Sequence, residues 1–284
     1  MSRRNSDRMG GHKKNNTAPP SAPQQQPEGF SFVVPTEFVD LPSEGRYYSQ
    51  NHPLHNKDVI EIKHMTAKEE DILTSKTLLK KGVAIDRVMK NVIVDKTIDP
   101  DSLLVGDRNA IVIALRAISY GESYETKVIC PSCEAKNDFT FDLSNIEVVR
   151  GGDLEELDIK ENEDGTFNVI LPLTKLTVTF KLLTGREEKA FISNLQQDRK
   201  TKAGEKTVTR QLMSMIVAVN EDSTHQTKRY VVDNLPSIDS RRIRTAYKIV
   251  NPNIDLTQVF ECAECGFESE MEVPLTADFF WPDH

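Results

Sequence analysis

The stretches Cys130-Pro131-Ser132-Cys133 and Cys262-Ala263-Glu264-Cys265 are the most informative feature of the 284-residue chain, because they hold all four of its cysteines as two CxxC pairs. Each pair precedes a strand-like run, over residues 139–143 and 267–273. A CxxC turn aims two thiolates at one ion, so two such turns complete a tetrahedral metal site. Since the protein supplies all four ligands, no position is left for water or substrate. The pattern predicts a structural zinc site without metal catalysis.

The spacing between the pairs distinguishes this site from a compact zinc ribbon, whose pairs lie roughly 15–20 residues apart. Here 128 residues, from 134 to 261, separate Cys133 from Cys262. Tertiary folding must therefore bring the two knuckles together, and we expect the metal to clasp the two ends of a large insertion.

Two other kinds of cysteine site compete with zinc. Redox-active or disulfide CxxC pairs are disfavoured, because a thioredoxin-like motif lies at a helix start and both motifs here precede strands. An iron–sulfur cluster is the other alternative, and nothing in the sequence indicates the redox chemistry that it would serve.

Composition excludes several classes of protein. The chain is 38% hydrophobic, but no run approaches the roughly 20 apolar residues of a membrane span. The first eight residues lack the apolar region of a secretory signal, so the paired thiols indicate a reducing cytosol, where metal binding is favoured. The formal net charge of −8 disfavours a general nucleic-acid binder.

The periodicity of apolar residues predicts an α+β fold of mostly helical units with short antiparallel strands. Two capping boxes, Thr66–Glu69 and Thr184–Glu187, each follow a strand pattern and start a helix. This short echo indicates either chance or an internal duplication. Polar residues of the third helix, Asp107, Arg108 and Arg116, are interpreted as a solvated or salt-bridged face. The predicted helices cover residues 66–81, 85–94, 105–120, 184–199, 207–220 and 237–250, and the predicted strands cover 59–62, 166–171 and 176–181.

The chain divides into five predicted segments. They are a disordered basic arm (1–29), an N-terminal helical domain with an LPSxG turn (30–127), a first zinc knuckle (128–145), an inserted α+β domain (146–257), and a second zinc knuckle with an aromatic tail (258–284). The arm is either a solubilising tail or a segment that orders against a neighbouring subunit or nucleic acid. The aromatic tail, residues 277–282, either docks on the core of its own chain or anchors in a partner.

The motifs of common catalytic sites are absent from the sequence. It contains no GxxxxGK[ST], no GxGxxG after a strand, no HExxH and no GxSxG. None of the six histidines is matched by residues that would complete a catalytic or metal site. We therefore predict a protein that is not an enzyme and has neither catalytic nor organic-cofactor residues.

A resemblance to a known family runs through the first half of the chain. The stretch Leu41-Pro42-Ser43-Glu44-Gly45-Arg46-Tyr47-Tyr48 resembles the LPSxG-aromatic opening of the baseplate hub protein family of T-even-like contractile-tailed bacteriophages. The similarity is strongest over residues 38–145, and beyond them the second knuckle and the overall layout fit. The matching stretches are 65–73, 81–88, 106–108, 115–121 and the first knuckle.

The resemblance implies a structural or assembly component of the hub region of a contractile tail baseplate. It implies other baseplate or hub proteins as partners, an oligomeric assembly, and a location in the virion tail or, during assembly, in the host cytoplasm. It implies no catalysis, and neither a membrane nor nucleic acid is expected as a partner. With the CxxC pattern, we predict that Cys130, Cys133, Cys262 and Cys265 hold a structural Zn²⁺.

Two alternative functions remain open. A nucleic-acid-binding zinc protein would use the knuckles and the basic arm, but five glutamates crowd the second knuckle and count against it. A thiol oxidoreductase is the third hypothesis, which an assay of disulfide reduction would test.

Overall fold

The computed structural model describes residues 32–144, 146–201, 206–275 and 277–280. From Pro35 onward the chain forms one compact unit. It is 39% helix and 25% strand, and its strands are short and antiparallel, which confirms the α+β prediction. The predicted basic arm (1–29) lies outside the described residues, and the five-segment division stays a prediction.

The first half of the unit pairs a two-stranded hairpin with four helices. The hairpin consists of β1 (Thr36–Asp40) and β2 (Val59–Lys63), and β2 also bridges to Ile93 through Ile62. The helices are α1 (Ala67–Thr74), α2 (Lys76–Lys80), α3 (Ala84–Val92) and α4 (Val105–Tyr120). They are followed by β3 (Ser123–Ile129), β4 (Lys136–Asp142) and β5 (Glu147–Val149).

The second half is built around a four-stranded sheet in the order β6-β7-β8-β9. Its elements are β6 (Lys160–Glu161), β7 (Thr166–Ile170), β8 (Thr177–Lys181), α5 (Gly185–Thr201), α6 (Thr207–Met215), β9 (Ile216–Val219), α7 (His225–Asn234) and α8 (Ser237–Val250). Three short strands follow, β10 (Asn253–Asp255), β11 (Thr257–Glu261) and β12 (Glu268–Glu272). β10 pairs with β5, so the two halves also meet through a strand pair.

Two of the predicted helices were wrong in extent. The helix predicted over 66–81 is interrupted at Ser75, whose backbone is extended, and the Thr74 hydroxyl beside it donates back to the carbonyls of Glu70 and Asp71. The helix predicted over 207–220 ends at Met215, because the following residues pair with β8 as strand β9. Helix α7 was not predicted, and Val232 is its only buried residue.

Both predicted capping boxes are present. The Thr66 N–H donates to the Glu69 carboxylate at 3.0 Å, and the Thr184 N–H donates to Glu187 at 2.8 Å. Each box satisfies backbone donors that the helix start leaves unpaired.

Asp107, Arg108 and Arg116 of α4 are buried, so their interpretation as a solvated face was wrong, whereas the salt-bridged alternative is confirmed for Arg108. Asp107, 1% exposed, accepts hydrogen bonds from the N–H and hydroxyl of Ser43 and from the Tyr48 hydroxyl, at 3.0, 2.6 and 2.7 Å. Burial raises the pKa of the Asp107 carboxyl, while these hydrogen bonds lower it, and the net shift is upward. Arg108 forms a largely buried ion pair with Asp86 at 2.9 Å. The carboxylate of Asp107 therefore ties the LPSxG turn to the start of α4.

The described part of the aromatic tail docks on the core of its own chain. Phe279 and Phe280 are 0% and 1% exposed. The buried Arg116 guanidinium donates to the Phe279 carbonyl at 2.9 Å and to the Gly121 carbonyl at 2.8 Å. Residues 281 and 282 of the predicted tail lie outside the described residues.

Candidate metal centre

Each CxxC pair lies in the turn of an antiparallel hairpin, and the two turns have the same hydrogen bonds. In both turns, the N–H of the first cysteine donates to the carbonyl of the residue five positions later. The N–H of the residue four positions later donates to the carbonyl of that cysteine. The bonds are Cys130 N–H to Ala135 O, Glu134 N–H to Cys130 O, Cys262 N–H to Phe267 O and Gly266 N–H to Cys262 O, each 2.9 Å. Glu134 and Gly266 both have positive φ, of 58° and 66°. Two equivalent knuckles thus present their thiols from β3–β4 and β11–β12.

Folding brings all four thiols together, although the knuckles lie far apart in sequence. Their Sγ atoms lie within 4.8 Å of one another. The Sγ atoms of Cys130 and Cys265 are 3.8 Å apart, and those of Cys133 and Cys262 are 3.7 Å apart. Four thiolates about 2.3 Å from a zinc ion would be spaced by about 3.8 Å, the edge of the tetrahedron. A disulfide needs about 2.05 Å, so these distances fit a shared metal and not two disulfides.

Two of the four thiols are buried among apolar side chains and two are exposed. Cys130 and Cys262 are buried against Phe260, with Phe139 and Met271 packed beside them, whereas the second cysteine of each pair is exposed. Four thiols take every position of a tetrahedral ion, so the arrangement can hold a metal but leaves no place on it for substrate. No other cluster of three or more potential metal ligands is found in the ranges that the structure describes.

The thiols of the cluster influence one another's ionisation. Burial raises the pKa of the Cys262 thiol. Hydrogen bonds from the backbone N–H groups of Cys265 and Glu264 and from the neighbouring thiols outweigh this effect and lower the pKa to about 6. At Cys133 the Ala135 N–H lowers the pKa, yet the other thiols and burial raise it to about 12. The cluster therefore favours one thiolate and disfavours a second. Four thiolates this close together would need a bound cation to be stable.

Asn137, a residue that the sequence did not single out, links the two knuckles. Its side chain lies on β4, is buried, and donates to the Cys262 sulfur at 3.5 Å and to the Ala135 carbonyl at 3.1 Å. Its Oδ1 accepts from the Ala263 N–H at 3.0 Å. Asn137 thus fixes the position of the Cys262 thiol of the second knuckle from a strand of the first.

Replacing Asn137 with alanine should weaken metal binding about 10- to 100-fold, the usual effect of losing a residue that orients a ligand. Competition with a chromophoric chelator measures this change. The matched control is Ser269→Ala on β12, because Ser269 follows Cys265 at the same spacing at which Asn137 follows Cys133. The buried Ser269 hydroxyl has no hydrogen-bond partner among the described residues, so this variant should bind metal like the unaltered protein. Equal affinities for all three proteins would refute the role of Asn137.

No described helix is both long enough and apolar enough to cross a membrane. No significant match to the chain is found among curated proteins or among solved structures. The family model described as T4 bacteriophage base plate protein, in contrast, matches residues 36–281, which include both knuckles and the LPSxG turn. Because this match covers most of the chain, the protein belongs to the T4 bacteriophage base plate protein family, as the resemblance predicted.

Proposed function

We propose that this protein is a structural or assembly component of the hub region of a contractile phage tail baseplate. Membership of the base plate family carries the proposal, since it makes the protein a component of a phage tail. Its action is by contacts with other baseplate or hub proteins in an oligomeric assembly, and it is not an enzyme. It works in the virion tail or, during assembly, in the host cytoplasm.

We also propose that the four clustered cysteines hold one structural Zn²⁺. The all-thiol donor set and the spacing of the sulfur atoms support zinc. When bound, the ion would cross-link β3–β4, which follows α4, to β11–β12, which follows α8. The Gln258 side chain already pairs with the backbone N–H and carbonyl of Asp142 across the same two hairpins, at 3.0 and 2.6 Å. The metal therefore acts as a clasp that fixes the relative orientation of the two halves.

The nucleic-acid alternative is disfavoured by the charge at the second knuckle. Its five glutamates, Glu261, Glu264, Glu268, Glu270 and Glu272, are all exposed. Such a surface repels phosphate. We expect the full-length protein to pass through a heparin column at moderate salt, and retention would favour the alternative.

The baseplate role is tested in a phage whose copy of this gene is inactivated. Electron microscopy of infected cells should show a loss of complete baseplates, and a plasmid copy of the natural gene should restore them. Normal baseplated tails in the absence of the protein would overturn the proposal. A plasmid copy with Cys262→Ser separates the two proposals, because failure of that copy alone would tie the role to the clasp.

A further inference from the structure

The two halves of the chain repeat one arrangement of elements. In each half, an antiparallel hairpin is followed by a helix that starts with a capping box. A later segment, here called the return segment, then pairs with the second strand of that hairpin. A long helix and a CxxC hairpin complete the arrangement. In the first half these are β1–β2, α1, the bridge at Ile93, α4 and β3–β4. In the second half they are β7–β8, α5, β9, α8 and β11–β12. The return segments meet equivalent residues, since both Ile62 and Phe180 lie one residue before the end of their strand.

Two buried carboxylates occupy equivalent positions in the two halves. Asp107 and Asp239 each occupy the third position of the long helix and are 1% and 0% exposed. Each accepts from the backbone of its own hairpin turn, from Ser43 N–H at 3.0 Å and from Leu173 N–H at 2.9 Å. Both turns begin with Leu-Pro, at positions 41–42 and 171–172.

The CxxC hairpins extend this alignment. They have the same register, with Glu125 opposite Thr140 and Thr257 opposite Glu272. The two halves therefore match position by position in their Leu-Pro turns and their CxxC hairpins.

The two halves differ at one sheet edge. In the second half β6 covers the outer edge of β7, with Lys160 opposite Asn168. Within the part of the chain that the structure describes, β1 has no such neighbour, and its only strand partner is β2. Aligning the two Leu-Pro turns places Phe38 at the position of Asn168. Phe38 is 68% exposed, an unusual exposure for an aromatic side chain at the centre of an edge strand.

The hydrogen bonds of β1 show which of its backbone groups are open to a partner. The His64 N–H donates to the Pro35 carbonyl, and the Leu41 N–H donates to the Asp58 carbonyl. Because residues alternate along an antiparallel pair, Glu37 and Val39 bond to β2, while the backbone groups of Thr36, Phe38 and Asp40 point away from it.

We propose that the outer edge of β1 pairs antiparallel with β1 of a second copy of this chain, about a twofold axis at Phe38. This register places Phe38 opposite the Phe38 of the second copy and Thr36 opposite its Asp40. The outward backbone groups of Phe38 then form a hydrogen-bonded pair, and the two rings cover each other. Of Thr36, Phe38 and Asp40, which share one face of β1, only Asp40 is charged. It lies opposite Thr36 of the second copy, so no like charges oppose each other on this face. The resulting order β2-β1-β1-β2 gives the first half a four-stranded sheet like that of the second.

The size of the contact sets the concentration at which the dimer forms. One five-residue strand from each copy buries less than the roughly 1,200 Å² of a stable interface. The dimer should therefore be weak and is sought by sedimentation velocity of the zinc-loaded full chain from about 1 µM to about 1 mM. The proposal rests on the geometry of β1 and not on the baseplate role, so its failure would leave that role standing.

Two opposite charges at one exposed position test the register. Thr36→Glu creates two like-charge pairs with Asp40 across the axis and should weaken the dimer about threefold or more, whereas Thr36→Lys should strengthen it by a similar factor. Thr36 is exposed and lies opposite Lys63 of its own hairpin, so Thr36→Glu should stabilise the single chain slightly and Thr36→Lys should destabilise it slightly. Circular dichroism of both variants checks that each is folded before association is compared. Equal association of both variants would overturn the register.

Phe38→Pro tests the edge itself, because it removes an outward N–H that β2 does not use. It should abolish the dimer, whereas Phe38→Ala, which keeps the N–H, should only weaken it. Dimerisation of Phe38→Pro like the unaltered chain, or an unaltered chain that stays monomeric throughout the concentration range, would refute the proposal. If Phe38→Pro fails to fold, the two Thr36 variants decide.

Discussion

Replacing Cys262 with serine should remove the zinc and lower the free energy of unfolding by about 3 kcal/mol or more. This loss is about a quarter of the roughly 10–16 kcal/mol that a structural zinc ion contributes when binding is coupled to folding. Cys262 is 1% exposed, and serine has a similar size, so the loss should come from the missing ligand and not from packing. Urea denaturation of the full chain, with zinc content measured on the same sample, gives both quantities.

The control for this variant is Ser132→Ala, in the turn of the other knuckle. The backbone N–H of Ser132 points to the Cys130 sulfur at 3.4 Å, and alanine keeps that group. The variant should therefore retain zinc and stability. A strong chelator added to the unaltered protein should reproduce the Cys262→Ser loss. A Cys262→Ser protein with a full zinc ion and unchanged stability would show that the clasp is not held as proposed.

Replacing Gly45 with alanine should destabilise the fold by about 3 kcal/mol or more, because the LPSxG turn has no space for a side chain. A Cβ atom at this position would lie 2.3 Å from the Leu54 carbonyl oxygen and 2.4 Å from the Lys57 nitrogen. These are backbone atoms, so the clash can be relieved only if the loop that contains Leu54 and Lys57 moves. Gly45 also has φ of +71°, a conformation that costs other residues about 1 kcal/mol. Urea denaturation measures the loss.

Gly82 offers a matched control for the steric part of this effect. Its φ of +66° is nearly the same, but a Cβ atom there would meet nothing within 4 Å. Gly82→Ala should therefore lose only about 1 kcal/mol, the cost of the backbone conformation. Similar losses for the two variants would mean that the loop around Gly45 is not packed as the structure shows.

The features that the sequence predicted well are those coded by residues close together in the chain. Helix α4 spans the residues 105–120 that its apolar periodicity predicted, and Gly121 follows its last residue. Both capping boxes are present, since Thr and Glu three residues apart determine them locally. The clustering of the thiols was also predictable, because only two CxxC turns were available to complete one site.

The features that the sequence did not reveal depend on distant partners. Asp107 is buried because Ser43, 64 residues earlier, donates to it, and Arg116 bonds to a carbonyl 163 residues later. Strand β9 has an apolar run compatible with a helix, and only pairing with β8 makes it a strand. Asn137 follows the first knuckle as an ordinary polar strand residue, and its contact with Cys262 appears only after the hairpins meet.

The repeat shows how a weak sequence signal gains meaning from the structure. The echo between the two capping boxes was too short to separate duplication from chance. The equivalent positions of Asp107 and Asp239, and the identical hydrogen bonds of the two knuckles, depend on the backbone and on a few buried atoms. Most other aligned positions differ in residue type, so the sequence alone retains little of the correspondence.

Native mass spectrometry of the full-length protein, combined with thiol titration, tests whether one metal ion joins the two halves of the chain. We expect one zinc ion per chain and four thiols that react only after a chelator is added or the protein is unfolded. A metal-free chain, with four freely reactive thiols or with two disulfides, would contradict it.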